Sequence, residues 1–165
     1  MIASWFTRAM AVLSGVIALM ALASVGVAQA AGSPRVCYRA HVENIGWQGW
    51  TCDGSVAGTV GQSLRLEALE IRTDNSGGLC AQAHVESVGW ETEQCKGDGQ
   101  VIGVGTAGQA LRMEALHLRS ITARSVCASG HVQNVGWQGG QCARDLGVGT
   151  AGQALSLEAV KIQWQ

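Results

Sequence analysis

Residues 37–47 read CYRAHVENIGW, and the same pattern returns as CAQAHVESVGW at residues 80–90 and as CASGHVQNVGW at residues 127–137. In each copy a second cysteine follows the tryptophan five residues later. The spacings from cysteine to histidine, to tryptophan and to the second cysteine are identical in all three. Such self-similarity is the signature of a repeated structural unit, which we place at about 36–72, 79–119 and 126–163.

A glycine-rich loop and a leucine-rich segment close each copy. The loop reads GTVGQ at 58–62 and GTAGQ at 105–109 and 149–153, and the segment reads LRLEAL at 64–69, LRMEAL at 111–116 and LSLEAV at 155–160. Leu, Arg, Glu and Ala favour a helix by intrinsic propensity, whereas the short length and the flanking glycines favour a strand. We predict a strand with a β-bulge at Glu67, because the apolar phase shifts after that residue to Leu69 and Ile71.

The two halves of this pattern, HVENIGW (41–47) and GTVGQSLRLEA (58–68), together resemble the ChW repeat family, clostridial hydrophobic repeats with a characteristic Trp. The resemblance spans nearly the whole chain after residue 30. It implies an extracellular or cell-wall-associated module that binds surface polymers or partner proteins. The cysteine pair in every copy departs from the usual pattern of that family.

The first thirty residues are typical of a signal peptide. Arg8 precedes an apolar run from Ala9 to Ala28, and residues 28–30 read AQA, a small-x-small cleavage motif. We therefore predict cleavage after Ala30, no stable membrane insertion afterwards, and a single secreted domain over 31–165, in the medium or on the cell wall. The alternative is an uncleaved membrane anchor, because about 20 apolar residues can span a bilayer.

Charge and cysteine content narrow the function further. Without Arg8, ten basic residues face twelve acidic ones, so we expect neither nucleic acid nor an anionic membrane surface as a partner. Six cysteines behind a signal peptide predict structural disulfides within each copy. A metal site built from Cys, His and Cys and a redox role are the alternatives, and the absence of Cys-x-x-Cys spacing speaks against both. The predicted pairs are Cys37–Cys52, Cys80–Cys95 and Cys127–Cys142.

The cysteine pair also predicts a hairpin. With Cys37 opposite Cys52, a regular antiparallel register places His41 opposite Gln48 and Val42 opposite Trp47, with a turn over residues 43–46. One strand face would then carry Tyr38, Ala40, Val42 and the tryptophan. On this register Trp47, Trp90 and Trp137 fill the core, whereas the competing hypothesis makes them three exposed platforms for sugars or a partner. Trp50 and Trp164 lie outside the pattern and are predicted to be more exposed.

The histidines and the glycine-rich loops supply the remaining candidate residues. The histidines are predicted on the cysteine face, where they fix the hairpin or line a shallow binding site. Catalysis is not expected, because no nucleophile, metal or paired-carboxylate motif accompanies them and a threefold arrangement lacks the asymmetry of an active centre. No cofactor is expected. The candidate binding residues are Trp47, Trp90, Trp137, Trp50, His41, His84, His131, Gln62, Gln109 and Gln153.

The repeat predicts an all-β fold. One unit cannot bury its apolar face alone, whereas three around an axis can, as in a pseudo-threefold β-prism or β-trefoil-like domain. The predicted function is non-catalytic binding of a cell-surface polysaccharide or an extracellular protein through repeated sites. The alternative is an inhibitor or assembly scaffold with no glycan ligand. The third copy lacks a counterpart of Trp50 and, from sequence alone, gains no evident chemistry in exchange.

Overall fold

A computed structural model describes residues 32–165; the predicted signal peptide lies outside that range. The described residues form fifteen strands and contain no helix, so none of them lies in a helix able to cross a membrane. The leucine-rich segments are strands, as predicted.

The strands follow the repeat. The first copy contains β1 (Arg35–Val42), β2 (Gly46–Trp47), β3 (Thr51–Cys52), β4 (Ala57–Gly58) and β5 (Leu66–Asp74). The second contains β6 (Leu79–Val85), β7 (Gly89–Trp90), β8 (Gln94–Lys96), β9 (Val101–Gly105) and β10 (Met113–Ser120). The third contains β11 (Val126–Val132), β12 (Gly136–Trp137), β13 (Gln141–Ala143), β14 (Asp145–Gly149) and β15 (Leu157–Trp164).

Three antiparallel sheets result, and each combines strands from two copies. The first sheet pairs β1 with β2, β3 and β5, and β5 then pairs with β9 of the second copy. The second sheet ends in β14 of the third copy, and the third sheet ends in β4 of the first copy. Each copy therefore lends a strand to the preceding one, and the first copy closes the ring. The prediction of an all-β domain in three parts is confirmed.

The hairpin register differs from the predicted one beyond its cysteine end. Cys37 lies opposite Cys52 as expected, but His41 lies opposite Trp47 and Val42 opposite Gly46. The loop between the strands has three residues rather than four, since Gly46, at φ 83°, already pairs with β1. The extra residue is taken up after Trp47 instead, before β3 begins. The other two copies have the same register.

This one-residue difference moves the tryptophan to the other face of the strand. Residues opposite each other in an antiparallel pair share a face, so Trp47 lies beside His41 and not beside Val42. Trp47 is 38% exposed and Trp90 46% exposed. The prediction that the three signature tryptophans fill the core is wrong.

The core is built by the face that was predicted to be apolar. Tyr38, Ala40 and Val42 of β1 are completely buried, and so are their partners Leu69 and Ile71 on β5. The corresponding residues of the other two copies pack into the same cluster. The opposite side of each sheet, called the outer face below, carries the cysteines, histidines and tryptophans.

The predicted bulge is present in all three copies. Val42 pairs with Leu66 and His41 with Ala68, so Glu67 is the additional residue on β5. The same shift separates Met113 from Ala115 in β10, and it occurs in β15. The bulge lets apolar residues on both sides of the glutamate reach the core.

The six cysteines form the three predicted disulfides, Cys37–Cys52, Cys80–Cys95 and Cys127–Cys142, each closing a separation of 15 residues. In the chain-entropy description a loop of that length contributes about 3 kcal/mol. Three disulfides in a chain of this size are typical of an oxidising compartment.

Tyr38 completes the junction between the last strand and the first copy. β4 has two residues, whereas β9 and β14 have five, so the edge of β15 opposite β11 is only partly covered by β4. The Tyr38 hydroxyl accepts the Ile162 N–H at 2.8 Å and donates to the Ser55 carbonyl, and the Gly54 N–H donates to the Ile162 carbonyl at 2.8 Å. Burial raises the pKa of Tyr38 to about 12.

Candidate binding sites on the outer faces of the sheets

Each outer face carries the same cluster of a histidine, a tryptophan and a glutamate. The imidazole of His41 meets the indole of Trp47 edge to face, with ring centroids 5.3 Å apart and planes at 80°. The Nδ1 atom of His41 lies 3.1 Å from Oε2 of Glu67. The clusters His84–Trp90–Glu114 and His131–Trp137–Glu158 repeat this geometry within 0.1 Å.

The contact between histidine and glutamate is close but poorly aligned. Nδ1 of His41 has no hydrogen bond of good geometry among the described residues, and the same holds for His84 and His131. The carboxylate therefore lies beside the ring rather than along its N–H direction. The imidazole is held mainly by packing between the buried carboxylate and the half-exposed indole.

Two of the glutamates, Glu67 and Glu114, also connect their clusters to the next copy. The Gly108 N–H donates to Oε2 of Glu67 at 3.1 Å, and the Gly152 N–H donates to Oε2 of Glu114 at 3.0 Å. Glu67 is only 4% exposed, and a buried carboxylate requires such partners. These donors belong to the loop of the following copy and not to the bulge.

A second side chain holds each glycine-rich loop in place from its own copy. The Gln48 carboxamide accepts the Gly58 N–H at 2.7 Å and donates to the Gly58 carbonyl at 3.1 Å, as a strand neighbour would. Gln138 makes the same pair of bonds with Gly149. In the second copy Glu91 can only accept, from the Gly105 N–H at 2.7 Å.

The loops that carry the candidate glutamines are thereby positioned beside the clusters. Gln62, Gln109 and Gln153 are all exposed. The loop with Gln109 is tied to Glu67 of the preceding copy, and the loop with Gln153 to Glu114. The structure thus brings predicted histidines, tryptophans and glutamine-bearing loops together, and it does so across the boundary between consecutive copies.

The surroundings of the tryptophans differ from copy to copy. The Arg39 guanidinium lies 5.0 Å from the ring centre of Trp47 and 5.2 Å from that of Trp50, and Arg72 lies 5.1 Å from Trp50. In the third copy Lys161 Nζ lies 4.3 Å from the ring centre of Trp137.

The second copy has His117 at the position that Glu70 occupies in the first copy and Lys161 in the third. His117 meets Trp90 at 6.2 Å, and its Nε2 lies 2.6 Å from a carboxylate oxygen of Asp145. The three clusters therefore share one scaffold and present three different sets of polar groups.

The exposed aromatic surface differs in part from the predicted one. Trp50 is exposed, as predicted, but at 38% it is no more exposed than Trp47. Trp164 is half-buried and packs against the core, so its predicted exposure is wrong. Trp137 is also half-buried, under the Lys161 side chain.

One set of exposed residues was missed in the sequence. Ile45, Val88 and Val135 lie at the tips of the three hairpins and are 51%, 55% and 57% exposed. Each stands two residues before a signature tryptophan. The sequence does indicate this exposure, because an aliphatic residue occupies a turn position in every copy.

The Cys–His–Cys metal site considered above has no counterpart among the described residues. The sulfurs of Cys80 and Cys95 do approach the carboxylate of Glu93. Both sulfurs are joined in a disulfide, however, and Glu93 binds Arg119. The group is a bridged hairpin with an ion pair, and a disulfide sulfur is not the thiolate that metals bind.

The three clusters lie within segments that match a known family. A family model described as Clostridial hydrophobic W, or ChW, matches residues 41–75, 84–119 and 131–165. The chain belongs to the ChW family. Each ChW unit begins at the histidine of a cluster and extends past its glutamate, so it contains one complete cluster. No curated protein and no solved structure matches the chain.

The ChW units can supply aromatic and polar contacts to a ligand. Among the described contacts each imidazole meets an indole and a carboxylate, but no hydroxyl or thiol that could act as a nucleophile. Aromatic rings on a rigid scaffold favour recognition by stacking. The arrangement is therefore suited to binding by stacking.

Proposed function

We propose that the protein is a secreted, non-catalytic module that binds a cell-surface or cell-wall polysaccharide through its ChW units. The observation that carries the proposal is the exposure of Trp47 and Trp90, each beside a partly buried histidine and a buried glutamate. A structural tryptophan would gain more free energy from burial. Indole faces next to polar groups are well suited to the apolar and hydroxyl faces of a sugar ring.

Repetition supports the same function. Weak contacts at three sites of one rigid domain combine, because the second and third contacts form without a new loss of translational freedom. The hydrogen bonds from Gly108 to Glu67 and from Gly152 to Glu114 hold neighbouring units in a defined relation. A polymer with repeating sugars is the ligand that gains most from such a display.

The test is co-sedimentation of the purified protein with isolated cell walls and insoluble glycans. We expect the wild-type protein to be retained, and Trp47→Ala with Trp90→Ala to lower retention at least tenfold. Ile121→Ala is a matched control, because Ile121 is 41% exposed but lies outside the clusters. Retention no higher than that of an unrelated disulfide-rich protein would refute surface binding.

The exposed hairpin tips favour a second candidate, binding of an extracellular protein as an inhibitor or assembly scaffold. Aliphatic side chains that are more than half exposed are common in protein interfaces and contribute little to sugar binding. A pull-down from secreted proteins separates the two functions. One stoichiometric partner that survives removal of glycans, and is lost on Ile45→Ser with Val88→Ser, would support the protein-binding function.

A further inference from the structure

The position of Trp50 is occupied differently in each copy. Its counterparts are Glu93 in the second copy and Gly140 in the third. Trp50 packs against two guanidinium groups, those of Arg39 and Arg72, on the outer face. Glu93 fills the corresponding space by binding Arg119 at 3.1 Å.

The third copy leaves that space open. A cleft of about 210 Å³ lies over the Cys127–Cys142 disulfide and is bordered by Gly140. Gln163 stands where the other copies have an arginine, and it faces Cys127 across the strand pair. No large side chain fills the space that Trp50 and Glu93 occupy in the other copies. The cleft therefore results directly from the glycine at position 140.

The far wall of the cleft comes from the first copy. Gly54 lines it, and a Cβ atom at that position would come within 2.6 Å of Oε1 of Gln163. The Gly54 N–H is bonded to the Ile162 carbonyl at 2.8 Å. The cleft therefore exists only where the ring closes between the third and the first copies.

The polar groups of the cleft carry one positive charge. Lys161 lines the cleft beside Ser129, its partner across the strands. Within residues 32–165 the Lys161 ammonium forms no ion pair, whereas its counterpart Glu70 binds Arg39 at 2.6 Å. None of the lining residues is acidic. The floor, made of a disulfide and glycines, is apolar.

We infer that this cleft is a subsite for a single sugar residue that bears a carboxylate. The inference rests on the proposed polysaccharide binding and adds the class of sugar. The carboxylate pairs with Lys161, and the apolar sugar face lies on the disulfide. The sugar hydroxyls meet the Gln163 carboxamide and donate to the Ser129 hydroxyl, whose own hydrogen is bonded to the Gln138 carbonyl at 2.6 Å. The volume is below the roughly 300–1,000 Å³ of drug-sized sites, which suits one ring. A phosphate ligand fits less well, because such sites gather several arginines.

Titration calorimetry of the purified chain tests the inference with D-glucuronate, N-acetylmuramate and N-acetylneuraminate, and with D-glucose as the neutral control. We expect at least one acidic sugar to bind. Which one binds shows whether the carboxylate belongs to a uronic acid, to a muramic acid or to a sialic acid. Lys161→Gln should weaken binding at least tenfold. Lys96→Gln, which removes the same charge from an exposed site in the second copy, should leave it unchanged.

Gly140→Trp provides the second variant, since it restores the side chain of the first copy. A Cβ atom at Gly140 meets nothing within 4 Å, and its φ lies outside the left-handed region, so the variant should fold and lose acidic-sugar binding. Unchanged affinity in Gly140→Trp or in Lys161→Gln would overturn the inference. Retention on cell walls without binding of any acidic sugar would overturn it and leave the proposed function standing. Acidic-sugar binding that depends on Lys161 but without wall retention would support the cleft and reject the proposed function.

Discussion

Trp47 lies opposite His41 across the β1–β2 pair, with the two rings 5.3 Å apart at an angle of 80°. This single pairing places the signature tryptophan of the repeat on the outer face of its sheet. A register one residue different would have placed it opposite Val42, which is completely buried. The position of the indole therefore follows from where the hairpin accommodates one extra residue.

Truncation of an outer tryptophan should have a modest effect on stability. We expect Trp90→Ala to cost about 2 kcal/mol or less, because the indole is 46% exposed. A core tryptophan would cost about 3–5 kcal/mol. Chemical denaturation measures the free energy of unfolding. The reference variant is Met113→Ala, at a fully buried site of the same copy. We expect it to lose about 2–5 kcal/mol, as is usual for a core residue. Equal losses in the two variants would contradict the outward register.

Removal of the Tyr38 hydroxyl should weaken the closure of the ring. Tyr38→Phe leaves the Ile162 N–H and the Ser55 carbonyl without their partner, so we expect a loss of about 1–3 kcal/mol in the free energy of unfolding. Hydrogen exchange should become faster in β15 than in β10. The Phe side chain keeps the packing, so a variant as stable as wild type would show that the hydroxyl is dispensable.

The same hydroxyl makes stability depend on alkaline pH. Because burial raises the pKa of Tyr38 from 10.0 to about 12, the folded state holds this proton more tightly than the unfolded state does. Its contribution is fully present below pH 10.0 and is lost as the pH rises towards 12. Tyr38 is the only tyrosine of the chain, so the ultraviolet absorbance of the phenolate reports its titration directly. A midpoint at the ordinary value would contradict the burial of the hydroxyl.

Asp98 should confer a stability that is lost in acid. Burial alone would raise the pKa of its carboxyl, but hydrogen bonds from the Gly77 and Ser76 N–H groups and from the hydroxyls of Thr73 and Ser76 outweigh it, so the pKa lies below 3.8. The stabilisation is present above pH 3.8 and declines as the pH falls through the lowered pKa.

Thermal unfolding between neutral and acid pH tests this expectation. Asp98→Asn should lower Tm at neutral pH and reduce its decline in acid. Asp145→Asn, on another exposed aspartate, serves as the comparison. If Tm falls with pH in the same way in wild type and in Asp98→Asn, then this carboxylate does not stabilise the segment around Ser76 and Gly77 that joins the first two copies.

Loss of the Glu67 carboxylate should be felt in the second copy as well as in its own. Glu67→Ala removes the acceptor of the Gly108 N–H, so we expect faster hydrogen exchange at 105–109 and a loss of about 1–3 kcal/mol. Glu70→Ala is the control, because its ion pair with Arg39 is partly exposed and such pairs contribute about 1 kcal/mol at most. Exchange that changes only in the first copy would contradict the link between copies.

Local features of the fold follow from the sequence because they depend on short spacings. The repeat itself, the disulfides, the leucine-rich strands and the bulge at Glu67 were all predicted correctly. Each is set by neighbouring residues, whose alternation between faces can be followed along one strand. Membership of the ChW family was likewise evident from the motifs.

The register beyond the cysteines could not be determined in this way. Fourteen residues separate Cys37 from Cys52, and one residue more than a regular hairpin requires can be accommodated in the turn or after Trp47. Asn44 and Gly46 both adopt left-handed conformations, which either arrangement could use. The choice between the two depends on the packing of the outer face, which joins residues of separate strands and has no one-dimensional signature. The predicted burial of the tryptophans failed for this reason.

The sequence alone thus determined which residues recur, which cysteines pair and which face of β1 is apolar, because these follow from local spacing and alternation. Only the tertiary structure decided which loop meets Glu67, how Tyr38 joins the last strand to the first copy, and that Gly140 opens a cleft beside Lys161. Those contacts join residues of different copies, and they are set when the three sheets exchange strands and close the ring. The side chain that Gly140 lacks leaves an empty space on the outer face. This space becomes a cleft only because closure of the ring places residues of another copy along its edge.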